Sequence, residues 1–392
     1  MISRMIPRAI ESIIASQLGQ GSKIVLMLGA RQVGKKTLAQ RVLSQAPFVA
    51  QKVLRITGDD LRPSEALSSR DLRQLEGLVS GYDILFIDEA QRIPEIGINL
   101  KLLVDHFPRL KILVTGSSAL DLASKTREPL TGRAWVHTLF PIALVELATQ
   151  NNPFELDRQL EERLIYGSYP QVLEIANVRE RRDYLQTLVD AYLYKDVLDI
   201  ATIKYSSKVR DLLQLLAYQV GQQVSVAKLA TQLGIGRDAV DSYIDLLEQS
   251  FVLFRLRGYS RDLRKEVSEQ SKIFFWGNGV RNALIDNLNP LSRRTDQGAL
   301  WENYVIAERR KLLNYAKLPA SVYFWRTHTG AELDWVEHRE GKLFGYEFKW
   351  GSGKARPPET FLTTYAGSSF EVVQRENYQA FLTEFKDEIA AA

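Results

Sequence analysis

A short stretch near the start of the chain, Lys23 to Leu38, constrains the fold more than any other. Its apolar run, Ile24–Leu28, predicts a buried strand that leads into the pattern G-x-x-x-x-G-K and then into a helix. Glycines in this pattern let successive backbone N–H groups point at a phosphate, and the helix adds the positive end of its dipole. We therefore predict a phosphate-binding loop that binds ATP.

The loop supplies the predicted cofactor contacts, because its backbone surrounds the phosphates. We also assign a catalytic role to Lys35, since its ammonium can reach the β and γ oxygens. The predicted contacts are Gly29, Ala30, Arg31, Gln32, Val33, Gly34, Lys35, Lys36 and Thr37. A turn that only joins a core strand to a helix is the alternative interpretation.

The residue after the loop lysine departs from the pattern. A Ser or Thr is expected there, because its hydroxyl ligates Mg²⁺, but the chain has Lys36. Thr37 is one position too late, since neighbouring helical residues point about 100° apart. We predict that the chain binds nucleotide and hydrolyses it poorly. The sequence leaves open whether Lys36 is natural or introduced.

A second buried strand, Ile84–Ile87, ends in an acidic pair. Ligands of α/β sheets lie at the carboxyl ends of the strands, so we predict that this pair faces the phosphate loop. Asp88 can hold Mg²⁺ through water, and Glu89 can orient and deprotonate the attacking water. Two carboxylates that simply end a strand are the alternative. Between loop and pair we predict a helix to about Gln45, a strand around Val53–Ile56 and a single helix over Ser64–Val79.

Two later segments complete the predicted ATPase site. A strand over Lys111–Val114 ends in T-G-S-S, where Ser117 is predicted to sense the γ-phosphate or the attacking water. The segment L-T-G-R presents Arg133, which we predict to stabilise the transferring phosphate of its own subunit or of a neighbour. A surface arginine is the alternative for Arg133.

Length and composition indicate an α/β protein of several domains. A chain of 392 residues is too long for one core, and no apolar run approaches the 18 residues of a membrane-spanning helix. The chain has no cysteine, which excludes disulfides and thiolate metal sites and fits a cytoplasmic protein. We predict a P-loop parallel-sheet domain over 1–150, a helical lid with a winged helix over 151–267, and an α/β domain over 268–392.

Nucleic-acid binding is predicted from the second domain. Residues 207–257 follow the helix and strand order of a winged helix. Its would-be recognition helix carries three Asp and one Glu against one Arg, and these acids would repel phosphates. The predicted backbone contacts therefore fall on the basic segment that follows, at Arg255, Arg257, Arg261, Arg264 and Lys265. A slight excess of Lys and Arg over residues 1–150 either faces a polyanion or is solvated surface.

The last third contains the sequences E-L-D-W-V and Y-E-F-K-W. Residues two apart on a strand share a face, so Glu347 and Lys349 point together, and Asp334 can approach from the adjacent strand. Two carboxylates on a divalent ion beside a lysine form a phosphodiester-cleaving arrangement. A solvated strand face is the alternative, and the balanced charge of the surrounding residues argues against cleavage.

Seven motifs together resemble a widespread prokaryotic family: G-A-R-Q-V-G-K-K-T-L, F-I-D-E-A-Q-R-I-P, L-V-T-G-S-S, L-T-G-R, G-A-L-W-E-N-Y-V, E-L-D-W-V and Y-E-F-K-W. Its members join an AAA+-type ATPase domain to a winged helix and to a C-terminal domain similar to the PD-(D/E)xK restriction-endonuclease fold. The resemblance implies nucleotide contacts at Gly29, Gly34 and Lys35, metal support at Asp88, the catalytic base at Glu89 and sensing near Ser117. It also implies a nuclease-like cluster of Glu302, Asp334, Glu347 and Lys349.

The leading functional hypothesis is an ATP-driven machine, with Mg²⁺ as its metal, that acts on nucleic acid and foremost on DNA. It would remodel or translocate DNA, branched DNA included, as a homo-oligomer such as a hexameric ring. Two alternatives remain open: a nucleotide-gated switch that regulates a protein partner, and an ATP-regulated nuclease. No membrane partner is predicted.

Overall fold

The computed structural model has an α/β architecture and describes residues 6–117, 130–193, 206–260, 271–327, 329–351, 353 and 356–384. Four predicted positions, Ser118 of the T-G-S-S segment and the basic residues Arg261, Arg264 and Lys265, lie outside the described residues.

A five-stranded parallel sheet forms the N-terminal unit, with strand order β2-β3-β4-β1-β5. Its strands are β1 Ile24–Leu28, β2 Val53–Thr57, β3 Ile84–Asp88, β4 Lys111–Gly116 and β5 Ala134–Thr138. Strands β1 and β3 are buried along their whole length, as expected where helices cover both faces of a parallel sheet. All carboxyl ends therefore meet at one edge. The predicted parallel α/β sheet is confirmed, and β5 is a strand that the sequence did not predict.

The helices around this sheet are α1 Glu11–Gln20, α2 Lys35–Leu43, α3 Leu61–Ser68, α4 Leu72–Val79 and α5 Ile96–His106, with 3₁₀ turns at Phe48–Ala50 and Ala90–Arg92. The single helix predicted over Ser64–Val79 is wrong, because two helices occupy this stretch. Arg70 takes a left-handed conformation with φ 55° between them. Asp71 then caps α4 by accepting a hydrogen bond from the Arg73 N–H.

The middle unit consists of short helices and a three-stranded antiparallel sheet with order β6-β8-β7. Helix α6 Leu144–Leu147 ends the N-terminal unit. The helices of the middle unit are α7 Pro153–Arg158, α8 Leu160–Tyr166, α9 Pro170–Glu174, α10 Val178–Thr187, a π-helical turn Leu188–Leu193, α11 Ser206–Tyr218, α12 Val226–Leu233 and α13 Arg237–Gln249. Its strands are β6 Gln223–Val224, β7 Leu253–Arg257 and β8 Ser271–Phe275. Strand β8 therefore pairs with β6 and β7.

The C-terminal unit packs helices on a four-stranded sheet with order β12-β11-β10-β9, in which β12 alone runs parallel to its neighbour. Helix α14 Asn278–Leu284 and a 3₁₀ turn Leu291–Arg293 connect the middle sheet to this unit. Its own helices are α15 Gln297–Tyr315, α16 Glu359–Thr364 and α17 Tyr378–Thr383. Its strands are β9 Ser321–Arg326, β10 Glu332–Arg339, β11 Lys342–Phe348 and β12 Ser369–Val373. None of the described helices is long and apolar enough to span a bilayer.

Alternate residues of β1 belong to two different cores. Val25 and Met27 join a cluster that continues through the middle unit to Leu382 in the C-terminal unit. Ile24, Leu26 and Leu28 join a separate cluster on the other face of the sheet. One face of the parallel sheet is thus packed continuously against the rest of the described chain.

Candidate nucleotide-binding site

The phosphate loop occupies the six residues between β1 and α2. A Cβ at Gly29 would overlap the carbonyl oxygen of Leu139, so the loop can pass this point only with glycine. Gln32 and Gly34 have φ values of 60° and 96°, in the left-handed region that curls the backbone. The curl and the amino end of α2 together give a concave set of N–H groups suited to a triphosphate.

The two lysines that follow the loop point to different places. Lys35 is buried, and its Nζ donates to the carbonyl oxygens of Gly29 at 2.8 Å and of Ala30 at 2.9 Å. Lys36 is 60% exposed, and its Nζ lies 3.3 Å from Oδ2 of Asp88. Lys35 therefore holds its charge at the loop, whereas Lys36 reaches the strand end opposite it.

Asp88 is held at the tip of β3 by a neighbouring strand. Its Oδ1 accepts a 2.5 Å hydrogen bond from the hydroxyl of Thr115 on β4. One carboxylate oxygen thus bonds to Thr115, and the other lies beside the Lys36 ammonium. Thr37, the next helical residue, is exposed.

Glu89 and Ser117 are joined by Gln91, a residue that we did not predict. The Gln91 amide donates to Glu89 Oε2 at 2.5 Å and to Ser117 Oγ at 2.8 Å. The Ser117 N–H in turn donates to Gln91 Oε1 at 3.3 Å. The positions predicted for the catalytic base and the sensor therefore share one hydrogen-bond network.

Two contacts connect the loop to other units. The Tyr184 hydroxyl on α10 donates to the Gln32 side chain. Arg8 donates to the carbonyl oxygens of Val33 and Phe140, both at 2.7 Å, and its Nε pairs with Glu146 at 2.9 Å.

Arg8 also reaches the C-terminal unit. Its guanidinium donates to the Tyr315 hydroxyl at 3.4 Å, and the Phe140 N–H donates to the same hydroxyl at 3.1 Å. Tyr315 is the last residue of α15. The loop, the edge of the parallel sheet and the C-terminal unit are therefore joined through one buried side chain.

Arg133 does not reach the phosphate loop of its own subunit. It precedes β5, and its carbonyl accepts from the Ile24 N–H at the amino end of β1. The loop follows Leu28 at the other end, about 15 Å away along the strand. The Arg133 side chain pairs with Asp105 at 2.7 Å, and this hydrogen bond lowers the pKa of Asp105. The predicted role within its own subunit is wrong, because parallel pairing puts the residue at the amino edge of the sheet.

Arg255, which we predict to contact nucleic acid, is paired with acidic side chains of its own unit. Its guanidinium pairs with Asp245 and, at 3.1 Å, with Glu248, both on α13, and only 17% of the side chain is exposed. Acidic side chains of α13, the helix predicted to be the recognition helix, therefore form ion pairs with the arginine of strand β7. Arg257 is exposed at the end of β7.

The predicted nuclease-like residues lie near one another in the C-terminal unit. Asp334 on β10 accepts from the Phe348 N–H of β11 at 2.8 Å, and Lys349 pairs with Glu347 at 2.5 Å. Burial raises the pKa of Glu302 and Asp334, neighbouring carboxylates raise it further, and the ammonium of Lys272 opposes both effects. Lys272 belongs to β8 and was not predicted. Among the described residues, no three His, Cys, Asp or Glu side chains are grouped so that they could hold a metal ion.

Sequence reasoning missed Arg8, Gln91 and Thr115 as members of the nucleotide site. Gln91 and Thr115 left a weak signal, because both are polar residues at the carboxyl ends of predicted strands. No sequence pattern identified Arg8, since the residues that it contacts lie 25 to 307 positions away in the chain.

Three protein-family models match successive parts of the chain. Residues 21–148 match an AAA domain, residues 157–291 a domain of unknown function (DUF8612), and residues 297–384 a second such domain (DUF4143). An uncharacterized protein of Mycobacterium tuberculosis is 29% identical over 331 residues, which are 83% of this chain and 70% of that protein. An uncharacterized protein of Methanocaldococcus jannaschii is 26% identical over 318 residues, which are 72% of this chain and 67% of that protein.

A solved structure of similar fold is the Walker-type ATPase of Pyrococcus abyssi. It superposes with a TM-score of 0.51 at 15% identity, over 72% of this chain and 97% of that one. With the family match, this likeness establishes an AAA-type P-loop ATPase fold for residues 21–148.

Proposed function

We propose that this protein binds ATP at the loop between β1 and α2 and hydrolyses it slowly. The reason is that Lys36 occupies the position of the Ser or Thr whose hydroxyl would ligate Mg²⁺. The observation that carries the proposal is the 3.3 Å approach of the Lys36 ammonium to Asp88. The loop residues fit ATP, since the curled backbone offers N–H groups and Lys35 adds a positive charge.

The same residues do not fit Mg²⁺. The loop lacks the hydroxyl that would ligate the ion, and an ammonium stands beside the carboxylate that would support it. Two positive charges compete for one carboxylate, so Lys36 replaces part of the ion's charge without bridging the phosphates. We propose that Glu89, oriented by Gln91, is the general base that positions water.

The deciding experiment compares Lys36→Thr, Lys36→Ala and the parent by nucleotide binding and single-turnover hydrolysis. We expect similar ATP affinities and a hydrolysis rate about 100-fold higher in Lys36→Thr, since a bound metal contributes several kcal/mol to the transition state. Lys36→Ala distinguishes the missing hydroxyl from the blocking ammonium. Equal rates in the parent and Lys36→Thr would contradict the proposal.

We further propose that the protein acts on nucleic acid, with DNA as the first candidate, through a homo-oligomer such as a hexameric ring. We propose that part of the middle unit is a winged helix, and its order of helices together with its antiparallel β6-β8-β7 sheet supports this. In a ring, Arg133 at the amino edge of the sheet would serve a neighbour's nucleotide. Exposed Arg257 is the described basic side chain that we assign to the nucleic-acid backbone.

The motor hypothesis is tested with the Lys36→Thr protein and duplex, single-stranded and branched DNA. Each DNA should be assayed for stimulation of ATP hydrolysis at two salt concentrations, because phosphate contacts weaken with salt. We expect stimulation by at least one form, together with nucleotide-dependent assembly. A monomer that no DNA stimulates would rule the motor out.

A nucleotide-gated switch that regulates a protein partner is the second candidate. Two observations favour it. Arg255 is paired with acidic side chains of α13, so its charge is not available to a phosphate. Arg8 and Tyr184 also link the phosphate loop directly to the other units. A switch would turn over slowly, ignore DNA and retain its partner through purification. The two candidates therefore give opposite results in the same DNA assay.

We keep an ATP-regulated nuclease as a third possibility and propose a PD-(D/E)xK-like fold for the C-terminal unit. The adjacent positions of Asp334 and Lys349 support the fold, whereas the missing metal-holding group among the described residues argues against cleavage. The test is an assay with Mg²⁺ or Mn²⁺ on linear, single-stranded and branched DNA. An Asp334→Ala, Glu347→Ala control identifies contaminating nuclease, because cutting that persists in it is not due to this site.

We propose three domains, with the first ending near residue 150. The predicted boundary at 267/268 would separate β7 from its partner β8, so we now propose that the middle domain extends past β8. Limited proteolysis should then cut between residues 285 and 297 rather than before β8.

A further inference from the structure

Lys272 is a buried cation of the middle unit whose side chain contacts the C-terminal unit. It lies on β8 of the middle sheet, and only 5% of its side chain is exposed. Its Nζ lies 2.6 Å from Glu332 Oε1, 3.2 Å from Glu302 Oε1 and 3.9 Å from Asp334 Oδ1. All three carboxylates belong to the C-terminal unit. The ammonium is thus surrounded by acids from the facing domain.

These acids include two members of the predicted nuclease-like cluster. Glu302 comes from α15 and Asp334 from β10, so the cluster depends on two elements of the C-terminal unit. Buried carboxylates that close together require a cation, because their mutual repulsion is weakly screened in a protein interior. Lys272 supplies that cation from outside the unit.

The middle unit also closes the cluster sterically. Gly221, in the turn before β6, has φ 74°, and a Cβ there would lie only 3.0 Å from Glu302 Oε2. The Gly221 N–H donates to the carbonyl of Ile273, the neighbour of Lys272 on β8. The turn and the lysine therefore form one surface that covers Glu302.

We propose that Lys272 is the built-in counter-cation of this cluster, that it fastens the middle unit to the C-terminal sheet, and that it excludes divalent cations. Mg²⁺ needs several oxygens at about 2.0 to 2.1 Å and keeps bound water, and Mn²⁺ prefers the same oxygen ligands. An ammonium between Glu302 and Glu332 takes those oxygens and leaves no room for the ion. Metal-dependent chemistry at this cluster then requires β8 to move away. This inference does not depend on the ATPase proposal.

The test uses the full-length chain with Lys272→Met, which keeps the length of the side chain and removes its charge. Lys349→Met is the control, because Lys349 pairs with a single carboxylate, that of Glu347, and its side chain is 43% exposed. In metal-free buffer we expect the thermal midpoint of Lys272→Met to fall by about 5 °C or more, and that of Lys349→Met by less than about 2 °C.

Addition of Mn²⁺ should then raise the midpoint of Lys272→Met and leave the parent unchanged. The rise should disappear in Lys272→Met, Asp334→Asn, which lacks one of the carboxylates. An unchanged midpoint in metal-free Lys272→Met overturns the counter-cation role. A destabilised variant that takes up no Mn²⁺ overturns the exclusion.

The parent gives a second test that does not require the variant to fold. Titration with Mn²⁺ followed by electron paramagnetic resonance should detect no ion whose binding is abolished by Asp334→Asn. Such an ion in the parent would show that Lys272 does not exclude metals, and would overturn the proposal.

Discussion

Gln91 holds the carboxylate of Glu89 against the strand tip that carries Ser117. A general base must be positioned before its pKa matters, and Glu89 itself has a left-handed φ of 53° that no regular strand or helix supplies. The Gln91 amide is therefore a positioning group for Glu89.

We expect Gln91→Ala, in the Lys36→Thr background, to slow single-turnover ATP hydrolysis by about 10- to 100-fold. ATP affinity should stay within about twofold, because the side chain of Gln91 hydrogen-bonds to Glu89 and Ser117 at the strand tips. Gln74→Ala, at an exposed position of α4, serves as the control. A loss of affinity equal to the loss of rate would show that Gln91 supports the whole site instead.

The lowered pKa of His137 should make the stability of the fold depend on pH. It is buried on β5, and its Nε2 lies 2.6 Å from the Gln17 side-chain oxygen. Burial, and secondarily the charge of Lys317, lowers the pKa of His137 to about 4. Between about pH 6.5 and 4 the unfolded chain therefore binds a proton that the folded protein does not.

The contribution of His137 to stability is complete above pH 6.5 and is lost as the pH falls towards 4. His137→Gln cannot titrate, so from pH 7 to 4.5 the parent should lose about 1–2 kcal/mol more unfolding free energy than the variant. Urea denaturation at both pH values measures the difference. Parallel pH profiles would show that His137 has an ordinary pKa.

At the scale of elements, α14 lies so close to α8 that no side chain fits between them. A Cβ on Gly279 would overlap the carbonyl oxygen of Tyr166, at the end of α8. Gly167 approaches from the other side, where a Cβ would lie 2.9 Å from the Gly279 N. Backbone contact therefore fixes the position of α14, and through it that of the C-terminal unit.

Gly279→Ala should lower the unfolding free energy by about 2–3 kcal/mol, because neither backbone segment can move without disturbing its own helix. Gly298→Ala is the matched control, since a Cβ at that helical position would have no described atom within 4 Å beyond its chain neighbours and the backbone of its own helix. It should be neutral or stabilising by up to about 1 kcal/mol. Comparable losses in the two variants, measured by urea denaturation, would rule out the steric explanation.

At the scale of the whole molecule, the phosphate loop is an internal junction. Arg8 ties it to Glu146 and to the end of α15, and Tyr184 ties it to α10. A ligand that rearranges the loop must therefore change contacts in all three units.

We expect ATP to slow amide hydrogen exchange over residues 24–37 and also over α10 and the last turns of α15. Tyr184→Phe keeps the ring but removes the hydroxyl that donates to Gln32, so protection of α10 should fall while loop protection remains. Lys35→Ala, which weakens nucleotide binding, is the control for non-specific effects. Protection confined to the loop and to residues 84–92 would mean that the units are not coupled.

Local patterns in the sequence were sufficient for much of this protein. The apolar runs before Gly29 and Asp88 predicted two central strands and the edge at which the nucleotide site lies, because buried parallel strands and their loops are contiguous in sequence. The sequence alone also showed that Lys36 replaces the expected Ser or Thr, since this comparison needs only one position of the motif. The strand β5 was not predicted, because its alternation of buried and exposed residues is weak.

Only the tertiary structure decided which charges meet. Strand pairing placed Arg133 at the far edge of the sheet, α13 bound Arg255, and β8 delivered Lys272 to acids that lie 30 to 62 residues further along the chain. Ion pairs depend on distances of a few ångströms between segments that sequence separation does not relate. The sequence therefore determined where the phosphate loop and its acidic strand lie, and the packing of the units determined which lysines and arginines are available to act.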